Sequence, residues 1–146
     1  MIRGVDTTFL VEAEVVGHPH HDWARFTLET FVEQGDSFAL APQVLAEFVH
    51  VVTDPKRFSQ PLSMNQALIH VDRWWQAKEV AQVFPTGDSC RLFVKWMREH
   101  KLGRKRLLDT QLASTYFAHD IRSILSSNAR DYTIFGCFEV IRPQGE

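Results

Sequence analysis

At 146 residues, 45% hydrophobic and 23% charged, the chain has the size and composition of one soluble domain that buries about two-thirds of its unfolded surface. A formal net charge of −2 excludes whole-molecule attraction to polyanions, so contact with nucleic acid would need a local basic patch. Two cysteines, Cys90 and Cys137, offer no Cys-x-x-Cys pair, and no basic leader or run of 18 apolar residues is present, so a cytoplasmic protein without a membrane span is expected.

In chain order, Ile2 to Val5 reads as a short buried strand ended by Asp6-Thr7-Thr8, with a helical turn through Phe9-Leu10-Val11. Gly17-His18-Pro19-His20-His21-Asp22 is a loop, and Asp22 is a candidate cap for the helix after it. Trp23, Phe26, Thr27, Thr30 and Phe31 form that helix's stripe. Gln34-Gly35-Asp36 closes it, and Ser37 to Leu40 is a second strand. Pro42 opens a helix carrying Val44, Leu45, Phe48, Val49 and Val52, which Asp54-Pro55 ends. Ser63-Met64-Asn65-Gln66 is a capping box before Ala67, Leu68, Val71, Trp74 and Trp75. Gln82-Val83-Phe84 is the candidate third strand, and Asp88 or Ser89 opens a helix with Leu92, Phe93, Trp96 and Met97 on one face. Asp109 caps a helix through Leu112, Ala113, Tyr116 and Phe117, and Ser123–Leu125 and Glu139–Ile141 complete the strands. Strands alternating with helices predict a three-layer α/β/α sandwich with a mainly parallel central sheet, as one domain over 1–146.

Four acids stand where apolar runs give way to polar residues: Asp6, Glu47, Asp109 and Asp131. In an α/β sheet the strand C-termini and helix N-termini face one crevice, so carboxylates this far apart in sequence can converge. Clustered like charges repel, and a hard divalent cation such as Mg²⁺ or Mn²⁺ relieves them. Metal-dependent chemistry on phosphates is the expected use.

The order of these motifs resembles the PIN domain, and within it the VapC-type toxin ribonucleases. The residues that carry the resemblance are Gly4-Val5-Asp6-Thr7-Thr8-Phe9-Leu10, Ala41-Pro42-Gln43-Val44-Leu45-Ala46-Glu47-Phe48, Leu108-Asp109-Thr110-Gln111-Leu112-Ala113 and Ser127-Asn128-Ala129-Arg130-Asp131-Tyr132, with the ending Phe138-Glu139-Val140-Ile141-Arg142-Pro143. Together they cover nearly the whole chain. The resemblance implies a PIN-like fold and a metal-dependent endoribonuclease from a toxin–antitoxin pair. It implies Asp6 and Asp109 as direct Mg²⁺ or Mn²⁺ ligands, Glu47 binding through water or activating it, and Asp131 completing the site, with Thr7, Thr8 and Asn128 as auxiliary groups. The implied partners are RNA, a VapB-like antitoxin and a second copy of the chain. The basic Arg104-Lys105-Arg106 departs from the family's more neutral lead-in to the third acid.

Simpler roles compete at each position. Asp109 is explained as a helix cap, and Asp131 as a turn residue or a partner of Arg130. Glu47 interrupts an apolar face, where an unpaired charge is costly, and Asp6 after a buried strand is poorly explained by structure alone. Lys101, Arg104, Lys105 and Arg106 could contact RNA phosphates or form a solvated helix end. His18, His20, His21 and Asp22 read as loop residues rather than metal ligands, for want of a distant further ligand. The helix around Arg73-Trp74-Trp75 is the candidate dimer surface. A dehalogenase-like phosphatase would need an acid where Thr8 stands. The main alternative is a degenerate PIN module that binds RNA or a protein without cutting.

Overall fold

The computed structural model describes residues 1–144. Its elements are β1 (Ile2–Val5), α1 (Thr7–Glu14), α2 (His21–Glu33), β2 (Ser37–Leu40), α3 (Pro42–Val52), α4 (Met64–Gln76), β3 (Val80–Gln82) and α5 (Gly87–Glu99). A 3₁₀ turn (Arg104–Arg106) leads into α6 (Leu107–Ala118), followed by β4 (Ser123–Leu125), α7 (Arg130–Thr133) and β5 (Glu139–Ile141). The five strands form one parallel sheet in the order β3-β2-β1-β4-β5. β1 runs beside both β2 and β4, with Gly4 opposite Ala39 on one side and Ile124 on the other.

From β1 the chain moves outward to β2 and β3, then returns to build β4 and β5 on the opposite flank. With right-handed crossovers this puts α1–α4 on one face and α5–α7 on the other. The packing agrees: α1 lies against α2 and α3, and α3 against α4, while α6 lies against α5 and α7. The sandwich read from the sequence is therefore the architecture found. Val5, Phe38, Leu40, Ile124 and Leu125, from the three central strands, are all buried between the layers. No helix among the described residues is long and apolar enough to cross a membrane.

Several local details differ from the sequence reading. Phe26 is 71% exposed, and α2 buries Ala24 and Thr27 instead. Asp22 lies in the first turn of α2 and is not its cap. β3 pairs through Val80–Gln82, two residues before the expected position. The opening of α5 is a capping box between Thr86 and Ser89, with the cap two residues before Asp88. Trp74 is 7% exposed, its indole N–H donates to Glu14, and Trp75 meets the Phe84 ring edge-on. The rings proposed for a dimer surface are thus largely used within the chain. Trp96 is also internal, stacked on Phe135 with centroids 4.4 Å apart.

α6 is fixed across β1 by a close approach. A Cβ on Gly4 would sit 2.6 Å from the Tyr116 ring, and the Tyr116 hydroxyl donates to the Val5 carbonyl at 2.5 Å. Asp109 stands two helical turns before Tyr116 on the same side of α6. Gly4→Ala must displace a buried ring against backbone, so it is expected to lower stability by about 1–3 kcal/mol, measured as a shift in the urea unfolding midpoint.

Candidate active site

The strand order reverses direction between β1 and β4, and the C-terminal ends of these two neighbours form the crevice typical of open parallel sheets. Asp6 follows β1 and Ser126 follows β4, and the Asp6 amide donates across to the Leu125 carbonyl. Asp6 is also the N-cap of α1, a structural role the sequence reading missed: its Oδ1 accepts from the Phe9 amide at 3.0 Å. The same oxygen accepts from Thr8 Oγ1 at 2.7 Å, and Oδ2 accepts from Ser126 Oγ at 2.6 Å and from the Tyr132 hydroxyl at 3.3 Å. The carboxyl is 3% exposed. Burial outweighs these four donors and raises its pKa from 3.8 to about 6.

Asp109 is in the first turn of α6, whose N-cap is Arg106; it does not cap the helix. Burial, then the charge and hydrogen bond of Asp131, then the charge of Asp6 push its pKa up to about 7, against a lowering by Arg106. Asp131 lies on α7. Its ion-pair partner is not the adjacent Arg130 but Arg106, whose Nε is 3.5 Å from Asp131 and 3.9 Å from Asp109. Arg106 Nη2 also donates to the Asp131 carbonyl at 2.6 Å. The 3₁₀ turn thus divides the basic stretch, leaving Arg104 and Lys105 exposed while Arg106 turns into the acids.

Glu47 flanks the buried Val44–Phe48–Val52 stripe of α3 and is half-buried. Its Oε2 accepts from Thr7 Oγ1 at 3.1 Å and its Oε1 from Gln43 Nε2 at 3.1 Å, and Gln43 also donates to the Leu108 carbonyl. These bonds tie Glu47 to the residues beside Asp6 and Asp109. Asn128 is exposed at the start of the β4–α7 turn, its amide bonded to Ser126 Oγ. Ser126, Tyr132, Gln43 and the inward turn of Arg106 escaped the sequence reading. Ser126 carried a signal as the first polar residue after the apolar end of β4, and Tyr132 as the aromatic residue that ends the last motif.

The donor set is oxygen-rich and internally repelling. Asp6 is raised by burial, Asp109 by burial and by the charges of Asp131 and Asp6, and Arg106 offsets the rise at Asp109 only in part. Such a set fits a hard divalent cation, with Asp6, Asp109, Asp131 and Glu47 as the residues to hold it.

No family model and no curated protein sequence matches the chain. Solved structures do. A Mycobacterium tuberculosis VapC20, a sarcin–ricin loop cleaving toxin, superposes with a TM-score of 0.71 at 16% identity, over 98% of this chain and 100% of that one. The fold is that of the VapC-type PIN toxins. A chain of the VapBC2 assembly of Rickettsia felis, bound to promoter DNA, matches with a TM-score of 0.70 at 17% identity, over 99% and 100%. FitAcB from Neisseria gonorrhoeae matches with a TM-score of 0.66 at 13% identity, over the whole of both chains.

The raised acids make a prediction with a definite sign. Between pH 3.8 and about 6 the folded state holds a proton at Asp6 that the unfolded state has lost, so stability from this group is present in acid and falls as pH rises through 6. For Asp6 the loss is on the order of 3 kcal/mol; Asp109, up to about 7, adds to it in the same direction. Asparagine caps a helix as well as aspartate. Asp6→Asn in EDTA is therefore expected to match or exceed the wild-type Tm at pH 8 and to lose this advantage at pH 5. A Tm lower than wild type at pH 8 would contradict the assigned burial cost.

Proposed function

We propose that the chain is a metal-dependent endoribonuclease that hydrolyses RNA phosphodiester bonds, acting as the toxin of a VapBC-type toxin–antitoxin pair. The observation that carries this reading is the convergence of Asp6, Asp109 and Asp131 at the C-terminal ends of β1 and β4, with Asp6 raised by burial and Asp109 by burial and by the other two acids. The neighbouring structures support it, since they include a toxin that cleaves the sarcin–ricin loop and a toxin–antitoxin complex from Klebsiella pneumoniae.

Bound in the crevice, Mg²⁺ or Mn²⁺ would polarise the scissile phosphate and lower the pKa of the attacking water. Asp6 and Asp109 would hold the ion directly, and Asp131 would complete its shell or hold a second. Ser126, Thr8 and Tyr132 orient the Asp6 carboxylate, so the ligand is set before substrate arrives. Glu47, aligned by Thr7 and Gln43, would take the proton from the attacking water or bind the ion through one. The exposed Arg104 and Lys105, just before Arg106, would track the RNA backbone, with Asn128, exposed after Ser126, as an auxiliary group. Arg106, already against Asp109 and Asp131, would present positive charge to the phosphate. A VapB-like antitoxin is the proposed protein partner. Self-association is proposed through the exposed Met64, Leu68 and Ile69 of α4 rather than through the tryptophans. A cytoplasmic setting follows from an RNA target.

Cleavage of cellular RNA with Mg²⁺ or Mn²⁺ is expected to stop in EDTA and to fall at least ~100-fold in Asp6→Asn and Asp109→Asn, both still folded by circular dichroism. Activity is expected to rise as pH passes through 6 to 7, where these acids lose their protons. Turnover unchanged in both variants would place the chemistry elsewhere. No turnover under any condition would leave the fold as a binding module.

A further inference from the structure

α1 carries another acid, Glu12, one turn beyond Thr8 on the same side of the helix. Its side chain is 2% exposed. The loop between α1 and α2 folds back over it, bringing His18 and His20 in, so that one ligand atom from each of Glu12, His18 and His20 lies within 4.8 Å of the others. His20 Nδ1 is 2.9 Å from Glu12 Oε2. The distant ligand that the histidine loop lacked in sequence is thus supplied by the preceding helix.

We propose that Glu12, His18 and His20 form a second metal site that takes a zinc-class transition ion and is independent of the carboxylate crevice. Two imidazoles and one carboxylate are a borderline-soft donor set: they suit Zn²⁺ or Co²⁺ and disfavour Mg²⁺, which wants oxygen. Tetrahedral zinc needs ligand atoms roughly 3.4 Å apart; the three lie within 4.8 Å of one another, so the set must adjust by about an ångström. His18 and His20 flank Pro19 in the short connection between α1 and α2, so the adjustment falls outside the sheet. The surrounding groups already set the rings. His21 Nδ1 is 2.9 Å from the Glu12 carbonyl, and the His20 ring meets Trp23 edge-on at 6.5 Å between centroids.

Loading has a defined local cost. His18 Nδ1 accepts the His20 amide at 3.0 Å. A coordinating neutral imidazole carries its proton on the nitrogen that does not bind the ion, so either choice of ligand nitrogen gives up that bond. Glu12 and His18 also line a cavity of about 250 Å³ whose wall includes Thr7, Thr8, Arg57 and Ser127. The fourth position of the ion can therefore take water or a small anion, with Arg57 favouring the anion. Coordination fastens the α1–α2 loop to the helix that begins at Asp6, so metal loading stabilises α1 whether or not the crevice is catalytic.

The test is titration of chelator-treated full chain with Zn²⁺ and Co²⁺, read by calorimetry, by the visible absorption of bound Co²⁺, and by Tm. One equivalent should bind with a tetrahedral Co²⁺ spectrum and a higher Tm, and excess Mg²⁺ should not displace it. The double variant His18→Ala/His20→Ala, which changes two half-buried loop residues, should weaken binding more than ~100-fold. Asp6→Asn should bind as wild type does, which separates this site from the proposed catalytic one. No binding, equal binding by the double variant, or loss in Asp6→Asn would each overturn the proposal.

Discussion

A carboxylate buried at the junction of two chain directions sets the terms for this molecule. Asp6 ends the central strand, starts the first helix and sits within hydrogen-bonding reach of the strand-end Ser126 on its neighbour. Without its donors a charge in that position would cost several kcal/mol, so the fold supplies them from three separate stretches: the α1 N-terminus, the end of β4, and α7. Even so its proton affinity stays high. The protein keeps a potential ligand in a state of partial discomfort, held rigid and short of neutralisation. That is the condition in which a cation gains most by entering.

The second acid shows the same logic with a different solution. Asp109 meets Asp131 across the gap between α6 and α7, and the fold offsets the repulsion with Arg106 from the turn just before α6. An arginine is a compact answer for two half-buried carboxylates, since its fork reaches the Asp131 backbone as well as both side chains. Gly4 underlies this geometry from below. Its missing side chain lets the Tyr116 ring pack against β1, which holds α6, the helix that carries Asp109, across the strand that ends at Asp6.

Much of this was legible in the residues. Strand-end acids and alternating periodicity carry the architecture, because a parallel sheet brings strand C-termini to one edge whatever loops join them. Periodicity failed where tertiary packing decided: Phe26 falls on the predicted stripe yet faces solvent, since Ala24 and Thr27 let α2 approach α1 more closely. Cap positions slipped by two residues at Asp88 and three at Asp109, because Thr86 and a 3₁₀ turn opened those helices earlier. The partners of charges were the least legible. Arg106 reaches an acid 25 residues away and passes over Arg130's claim on its neighbour, and Glu12 gathers histidines from a loop that looked merely polar. Such pairings depend on which way a short turn points, and no local pattern encodes that.

The sheet order also governs when the crevice can exist at all. β1 is made first, but its inner partner β4 arrives only at Ser123, and the group that closes over Asp6 from α7 only at Tyr132. A chain that ends before Ser126 has the first acid but neither the serine nor the tyrosine that hold it, and lacks Asp131 as well. Assembly of the carboxylate cluster is therefore a property of the nearly finished polypeptide, because its last acid and the groups that fix its first come from the final quarter of the chain.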